Sequence, residues 1–187
     1  RRTQLPEVAD RFYQLVSQMA EIHATDAAER ATVTRLNDRF VEVVVQSGEG
    51  APSFRRRFDA RETREIRLYL HGGDDTAVVR GRVRQSIPVR VIGGNGTNRL
   101  LDSSRVGGLR DYTHLYDVGR VSGVTYGKDS LFNRRHWEMQ DGELAPAARD
   151  RGTELVVDVG VSSERDVGPA PRLTLTRYVY GFERRPY

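Results

Sequence analysis

Apolar residues along this chain follow two different periods. In residues 5 to 20, "LPEVADRFYQLVSQMA", Leu5, Val8, Phe12, Leu15, Val16 and Met19 recur at helical spacing, and Pro6 suits a first turn. The spacing predicts one N-terminal helix. From 30 to 102 the period drops to two. "ATVTRL", "FVEVVV", "SFRRRF", "REIRLYL", "TAVVRG", "IPVRVI" and "NRLLD" each read as a short strand, and "NDR", "GEGAP", "DARET", "HGGDD", "RQS" and "GGNGT" punctuate them as turns. The pattern predicts a mainly β protein, either a short β-roll or solenoid or an antiparallel β-sandwich.

An internal repeat bears on that choice. Asp75 in "LHGGDDTAV" and Asn98 in "GGNGTNRLL" lie 23 residues apart, each in a polar turn ahead of an apolar run. Twice that step back from Asp75 is Glu29, in a similar turn, and the intermediate step falls at Pro52 within "GEGAPSF". A repeat near 23 residues, with two strands in each, is what a coil of stacked β-strands requires. Turns as frequent as these also produce such a register in a sandwich, so both architectures stay open.

After residue 102 the alternation fades. Residues 103 to 152 are rich in Gly, Asp, Arg and aromatics, and they read as a long irregular segment lying on something else, anchored by Tyr112, Leu115, Tyr116, Leu131, Phe132 and Trp137. Strand character returns in "TELVVDVG" and in "PRLTLTRYVYGF". The latter puts Leu173, Leu175, Arg177 and Val179 on one face and Thr174, Thr176, Tyr178 and Tyr180 on the other. The expected organisation is a helix over 1–21, a β-rich domain over 22–102, the irregular segment over 103–152 and C-terminal strands over 153–187. The opening "RRTQLPEV" and the closing "GFERRPY" read as cuts within a longer polypeptide.

Composition narrows the chemistry. The chain is 37% hydrophobic and 30% charged with a net charge of +4, and Lys128 is the single lysine among 30 basic residues. Acids are interspersed with arginines, whereas a nucleic-acid binder gathers its bases on one face, so no nucleic-acid partner is expected. With no cysteine there is no disulfide, thiolate metal site or cysteine nucleophile. His23, His71, His114 and His136 are scattered, with neither H-x-H nor H-E-x-x-H spacing. A phosphate loop needs a lysine followed by Ser or Thr at a helix start, and "GGNGTNRLLD" has no lysine and leads into a strand. No nucleophile elbow surrounds any serine.

The Gly-rich turns carry the one candidate site. Tandem G-G-x-G-x-D turns bind calcium because their glycines let carbonyls point inward while the aspartate supplies charge. "GGNGTNRLL" has Asn98 at the aspartate position, and "HGGDDTAVV" offers Asp74 and Asp75. Asp74, Asp75, Asn95 and Asn98 are therefore the candidate calcium ligands, with metal-free corners as the simpler reading. In the corner reading glycine supplies positive φ and the polar side chains satisfy turn backbone. An enzymatic alternative requires His71, Asp74, Asp75 and Asp102 to meet in one cleft. Exposed aromatics leave a carbohydrate-binding alternative open.

"FDARETREIRLYLHGGDDTAVVRG", "VRVIGGNGTNRLLDSSRVGG", "LYDVGRVSGVTYGKDSLFNRR" and "LTLTRYVYGFERRPY" together resemble a region of large Gram-negative bacterial proteins. Those proteins join a calcineurin-like metallophosphoesterase domain to a C-terminal outer-membrane β-barrel of the surface-antigen type, and the similar region lies just ahead of the barrel. The resemblance runs from about Ile22 to Tyr187 and includes none of the phosphoesterase motifs. It implies a non-catalytic connector at the periplasmic face of the outer membrane, with the barrel and the phosphoesterase domain of the parent chain as its partners. It also implies that the last strand approaches or begins the barrel. No cofactor is expected, calcium being the alternative.

Overall fold

A computed structural model describes residues 17–108, 110–117, 123–134, 153–164, 166 and 168–179. The chain divides into two compact units, Arg1–Glu138 and Met139–Tyr187. It is mainly β, built from several sheets.

The first unit contains β1 (Met19–His23), β2 (Glu29–Arg35), β3 (Phe40–Ser47), β4 (Phe54–Asp59), β5 (Glu65–Tyr69) and β6 (Thr76–Arg80). It continues with β7 (Arg82–Val83), β8 (Val89–Ile92), β9 (Arg99–Asp102), β10 (Arg105–Val106), β11 (Thr113–Tyr116) and β12 (Ser130–Asn133). One sheet runs β1-β5-β8-β11-β12, all parallel. A second runs β4-β3-β2-β6-β9, and β2, β6 and β9 are parallel within it. The narrow pair β7 and β10 forms a third side. The chain visits the first sheet, then the second, then the third, and starts again one strand further along.

Register makes the coil explicit. Ile66 lies opposite Val89, Val78 opposite Leu101, and Arg82 opposite Arg105, each a step of 23 residues. The next turn advances by 24, with Val89 opposite Thr113. This is a parallel β-solenoid, and it settles the choice left open by the alternation. Period two places the core: Leu68, Val91 and Leu115 stack in register on the first sheet, facing Ala31, Ala77 and Leu100 and then Val33 and Val79 on the second. All eight are fully buried, and each of the valines and leucines among them contributes about 1.5–3 kcal/mol relative to exposure.

The first coil departs from the repeat. Arg30 lies opposite Thr76, a step of 46 residues, so the register predicted at Pro52 is not a rung. The extra residues form the antiparallel hairpin β3–β4, which widens the second sheet beyond β2 and buries Val41, Val43, Val45 and Phe58 against the core. A strand pair thus covers an edge that β2 would otherwise expose.

Two further expectations change. Of the predicted helix over 5–20, residues 5 to 16 lie outside the described residues, and Met19 and Ala20 belong to β1, held in register with Glu65 and Ile66. Within the segment read as irregular, the described residues include β10, β11 and β12, which carry the solenoid onward. Leu115 and Tyr116 are core or nearly inaccessible residues of β11, Phe132 packs on the core from β12, and Trp137 lies outside the described residues.

The second unit contributes β13 (Thr153–Glu164) and β14 (Gly168–Val179), twelve residues each, paired antiparallel along their whole length. Val157 faces Leu175, Val159 faces Leu173 and Val161 faces Pro171 across the pair, so these side chains share one face. Their exposure is high: Val159 and Val161 at 76%, Leu173 at 65%, Leu155 at 64% and Leu175 at 62%. The opposite face carries Asp158 and Arg172, with an ion pair of 3.5 Å between them, together with Thr174 and Thr176.

Candidate functional site

The Gly-rich turns lie at the corner where the first sheet hands over to the second. They stack on one another at the 23-residue step. A Cβ on Gly96 would stand 1.9 Å from the Gly73 carbonyl oxygen, and one on Gly94 would stand 2.0 Å from that of His71. Gly96 (φ 93°) and Gly73 (φ 102°) also hold backbone angles that side chains disfavour. Glycine is required here twice over, by conformation and by the approach of the next coil.

Next to the glycines runs a ladder of polar side chains, one from each coil. The Glu29 amide donates to Asp75 Oδ1 at 2.8 Å, and the Asp75 amide donates to Asn98 Oδ1 at 3.1 Å. Asn98 Nδ2 donates to Asp117 Oδ2 at 3.0 Å, and Gly93 leaves the room for this bond, since a Cβ there would stand 2.5 Å from Asp117 Oδ2. Asp74 Oδ1 accepts the Thr97 amide at 2.8 Å. The Asn95 amide donates to the His71 carbonyl at 2.6 Å, and the Asn95 carbonyl accepts from Asn98 Nδ2 at 3.4 Å.

The four candidate calcium residues are therefore neighbours in one corner, but they serve the backbone there. Asp74, Asp75 and Asn98 each direct a side-chain oxygen to an amide of an adjacent turn. Among the described residues, no group of three or more acidic or histidine side chains is arranged to hold a metal ion. These oxygens join one coil to the next.

Histidines flank the ladder. His23 Nδ1 and His71 Nε2 are 2.9 Å apart, with the His23 ring stacked on Tyr69 at 4.7 Å between centroids. Burial holds both imidazoles below their ordinary value; the charge of His71 adds to this for His23, while Glu21 opposes it, and Asp26 and Glu29 oppose it for His71. Asp102 is not part of this group. It lies opposite Val79, at the other end of β9 from Asn98, where it accepts from the Ser104 amide at 2.8 Å and from the Ser130 hydroxyl. The cleft that an enzymatic reading requires is thus not assembled from His71, Asp74, Asp75 and Asp102.

A second polar centre was not visible in the sequence. Arg35, at the end of β2, is 2% exposed and makes five hydrogen bonds. Its Nη1 donates to Ser86 Oγ at 2.6 Å and to the Ile87 carbonyl at 2.9 Å; Nη2 donates to the Tyr112 carbonyl at 3.1 Å and to Thr113 Oγ1 at 2.9 Å. Nε donates to Ser104 Oγ at 3.2 Å. One side chain thus ties the first coil to segments 51 to 78 residues downstream. Burial lowers its pKa, while the charges of Asp102 and Asp129 oppose that. Arginine remains protonated in such a site.

No protein-family model, curated protein or solved structure matches this chain.

Proposed function

We propose that the chain is a non-catalytic connector of a larger outer-membrane protein, lying on the periplasmic side and leading from a soluble domain into a β-barrel. One observation carries the reading: on one face of the β13–β14 hairpin Leu155, Val157, Val159, Val161, Leu173 and Leu175 form an exposed apolar row, which ends at Arg177 opposite Leu155. A tilted membrane strand needs about 9–11 residues, alternating apolar outward with polar inward. This hairpin has that length and that alternation. Water-soluble strands seldom leave so long a row of valines and leucines uncovered. The solenoid suits a spacer, because five parallel strands at about 4.8 Å spacing make a stiff rod of fixed rise. Its conspicuous polar residues are spent on holding coils together.

The absence of cysteine makes the test direct, because any introduced thiol is unique. Single cysteines at Val157, Val159, Leu173 and Leu175, and at Asp158 and Thr174 on the other face, would be labelled with an environment-sensitive dye in the full chain and mixed with phospholipid vesicles. The reading predicts blue-shifted emission at the first four positions and none at the other two. Equal shifts on both faces, or none anywhere, would refute it. A shift that appears without vesicles and grows with protein concentration would mean that the apolar face pairs with a second copy instead.

A further inference from the structure

The second sheet sorts charges that are mixed along the sequence. Alternate residues of β4, β3, β2, β6 and β9 fill the core, so the residues between them point to the opposite face. Register lines these up in three rows across the strands. The middle row runs Arg55, Val44, Thr32, Val78, Leu101. Arg57, Glu42, Thr34 and Arg80 flank it on one side, and Gln46, Arg30, Thr76 and Arg99 on the other. All five arginines are exposed, whereas Val44, Thr32, Val78 and Leu101 are half-buried. None of the five takes part in an ion pair among the described residues. Arg80 Nε donates to Thr34 Oγ1 at 3.1 Å, and Arg57 lies over the Phe40 ring at 4.7 Å. Neither contact neutralises the charge. Glu42 is the single acid in the three rows, and Arg39 already holds Asp59 at the end of β4. Glu49 and Asp74 border an open recess at one end, beside Arg30 and Thr76. The arginines still outnumber these acids.

We infer that this face lies against the anionic headgroups of a phospholipid bilayer. Charge complementarity is the first argument. Arg30 and Arg99 stand one strand apart in their row, about 10 Å by strand spacing, which is about one Debye length at physiological salt. Their fields therefore add, and an anion between them relieves the repulsion. The layout is the second argument. The charges spread over five strands, about 19 Å across, and not along one groove, which matches a plane of anions better than a single polymer strand. The rows contain no aromatic side chain on which unpaired bases could stack. Arginine heads at phosphate level can lay their aliphatic stems over the half-buried Val44, Val78 and Leu101. The inference rests on the outer-membrane reading, which gives the solenoid a bilayer within reach. It adds an electrostatic contact to the apolar one offered by the hairpin.

The test mixes the full chain with vesicles of phosphatidylcholine, with or without phosphatidylglycerol, and reads the bound fraction by flotation. The triple variant Arg30→Gln/Arg80→Gln/Arg99→Gln should bind the anionic vesicles roughly 100-fold more weakly than wild type. Arg82→Gln/Arg105→Gln/Arg110→Gln removes as many exposed charges from the third side and the loop after it, and should bind almost as wild type does. Lysine at positions 30, 80 and 99 should keep the binding, which separates lost charge from lost folding. Raising the salt to about 1 M should release the wild type from anionic vesicles. Binding to neutral vesicles reports the hairpin and should be the same in every variant. Failure of the outer-membrane reading then appears as no binding to neutral vesicles, and failure of the arginine face as equal binding to both kinds. Equal losses in the two glutamine triples, or a loss with lysine as well, overturn the inference. So does release from the vesicles by duplex DNA at equal phosphate concentration, since a nucleic acid would then be the better partner.

Discussion

Replacing Arg35 by lysine should cost the solenoid far more than a change between two basic residues suggests. The guanidinium reaches five acceptors in a fixed fork: three hydroxyls and the carbonyls of Ile87 and Tyr112. A lysine ammonium has three donors on a flexible stem and cannot span the same set. The hydroxyls of Ser86, Ser104 and Thr113 can rotate towards other partners, but the two carbonyls are fixed by the coil. The Tyr112 carbonyl keeps the Val89 amide at 2.8 Å, but the Ile87 carbonyl loses its Arg35 donor, which costs about 1–3 kcal/mol. Burying a poorly paired ammonium adds to this, and breaking buried charged networks typically costs about 3–5 kcal/mol. We expect a loss of about 4 kcal/mol, read as a lower midpoint in urea with an unchanged slope. At about 2–4 °C per kcal/mol for a chain of this size, the thermal midpoint falls by roughly 8–16 °C. A loss below about 1 kcal/mol would refute the view that Arg35 holds the coils together.

Two other perturbations test the corner. Gly96→Ala places a methyl group 1.9 Å from the Gly73 oxygen at a positive φ, so the coils must separate locally. A loss above about 3 kcal/mol is expected, whereas Gly48→Ala, with nothing within 4 Å, should cost only the backbone penalty of about 1–2 kcal/mol; equal losses in chemical denaturation would contradict the stacking argument. For Asp75, the folded-state value of about 7 lies above the ordinary 3.8, so the folded chain binds the extra proton between those limits. Its contribution is fully present below about pH 4 and is lost as pH rises through 7, at up to about 1.4 kcal/mol per pH unit. With partial relaxation of the site, Asp75→Asn should lead the wild type by about 2–4 kcal/mol at pH 8 in denaturant titrations, and a lead that shrinks with rising pH would reverse the assigned sign.

The β content and the positions of most strands between 30 and 102 were legible because inward side chains alternate there and Gly- and Asp-containing turns separate them. The architecture was harder to read, since a sandwich produces the same alternation. What distinguished a coil was the spacing of Glu29, Asp75 and Asn98, which do become successive rungs. The same reasoning misplaced Pro52, because a hairpin excursion is as long as one coil and leaves the next register intact. Strands β10 to β12 escaped notice because they are two to four residues long and take their regularity from the coil before them, not from their own sequence. Arg35 is one of many arginines, and its partners lie between residues 86 and 113; no local pattern marks it. Asp75 was singled out as a charged ligand, and its burial, which changes its chemistry, depends on the neighbouring rung.

The stacked coil is the claim on which the rest depends, and disulfide formation between introduced cysteines measures it. Neighbouring strands place register partners at about the Cα separation a disulfide accepts, roughly 4.4–6.8 Å, and strands two apart well beyond it. Arg30 lies opposite Thr76, and Thr76 opposite Arg99. The account predicts rapid oxidation in Arg30→Cys/Thr76→Cys and in Thr76→Cys/Arg99→Cys, and none within one molecule of Arg30→Cys/Arg99→Cys. Efficient closure of the last pair, or failure of the first two, would contradict the solenoid.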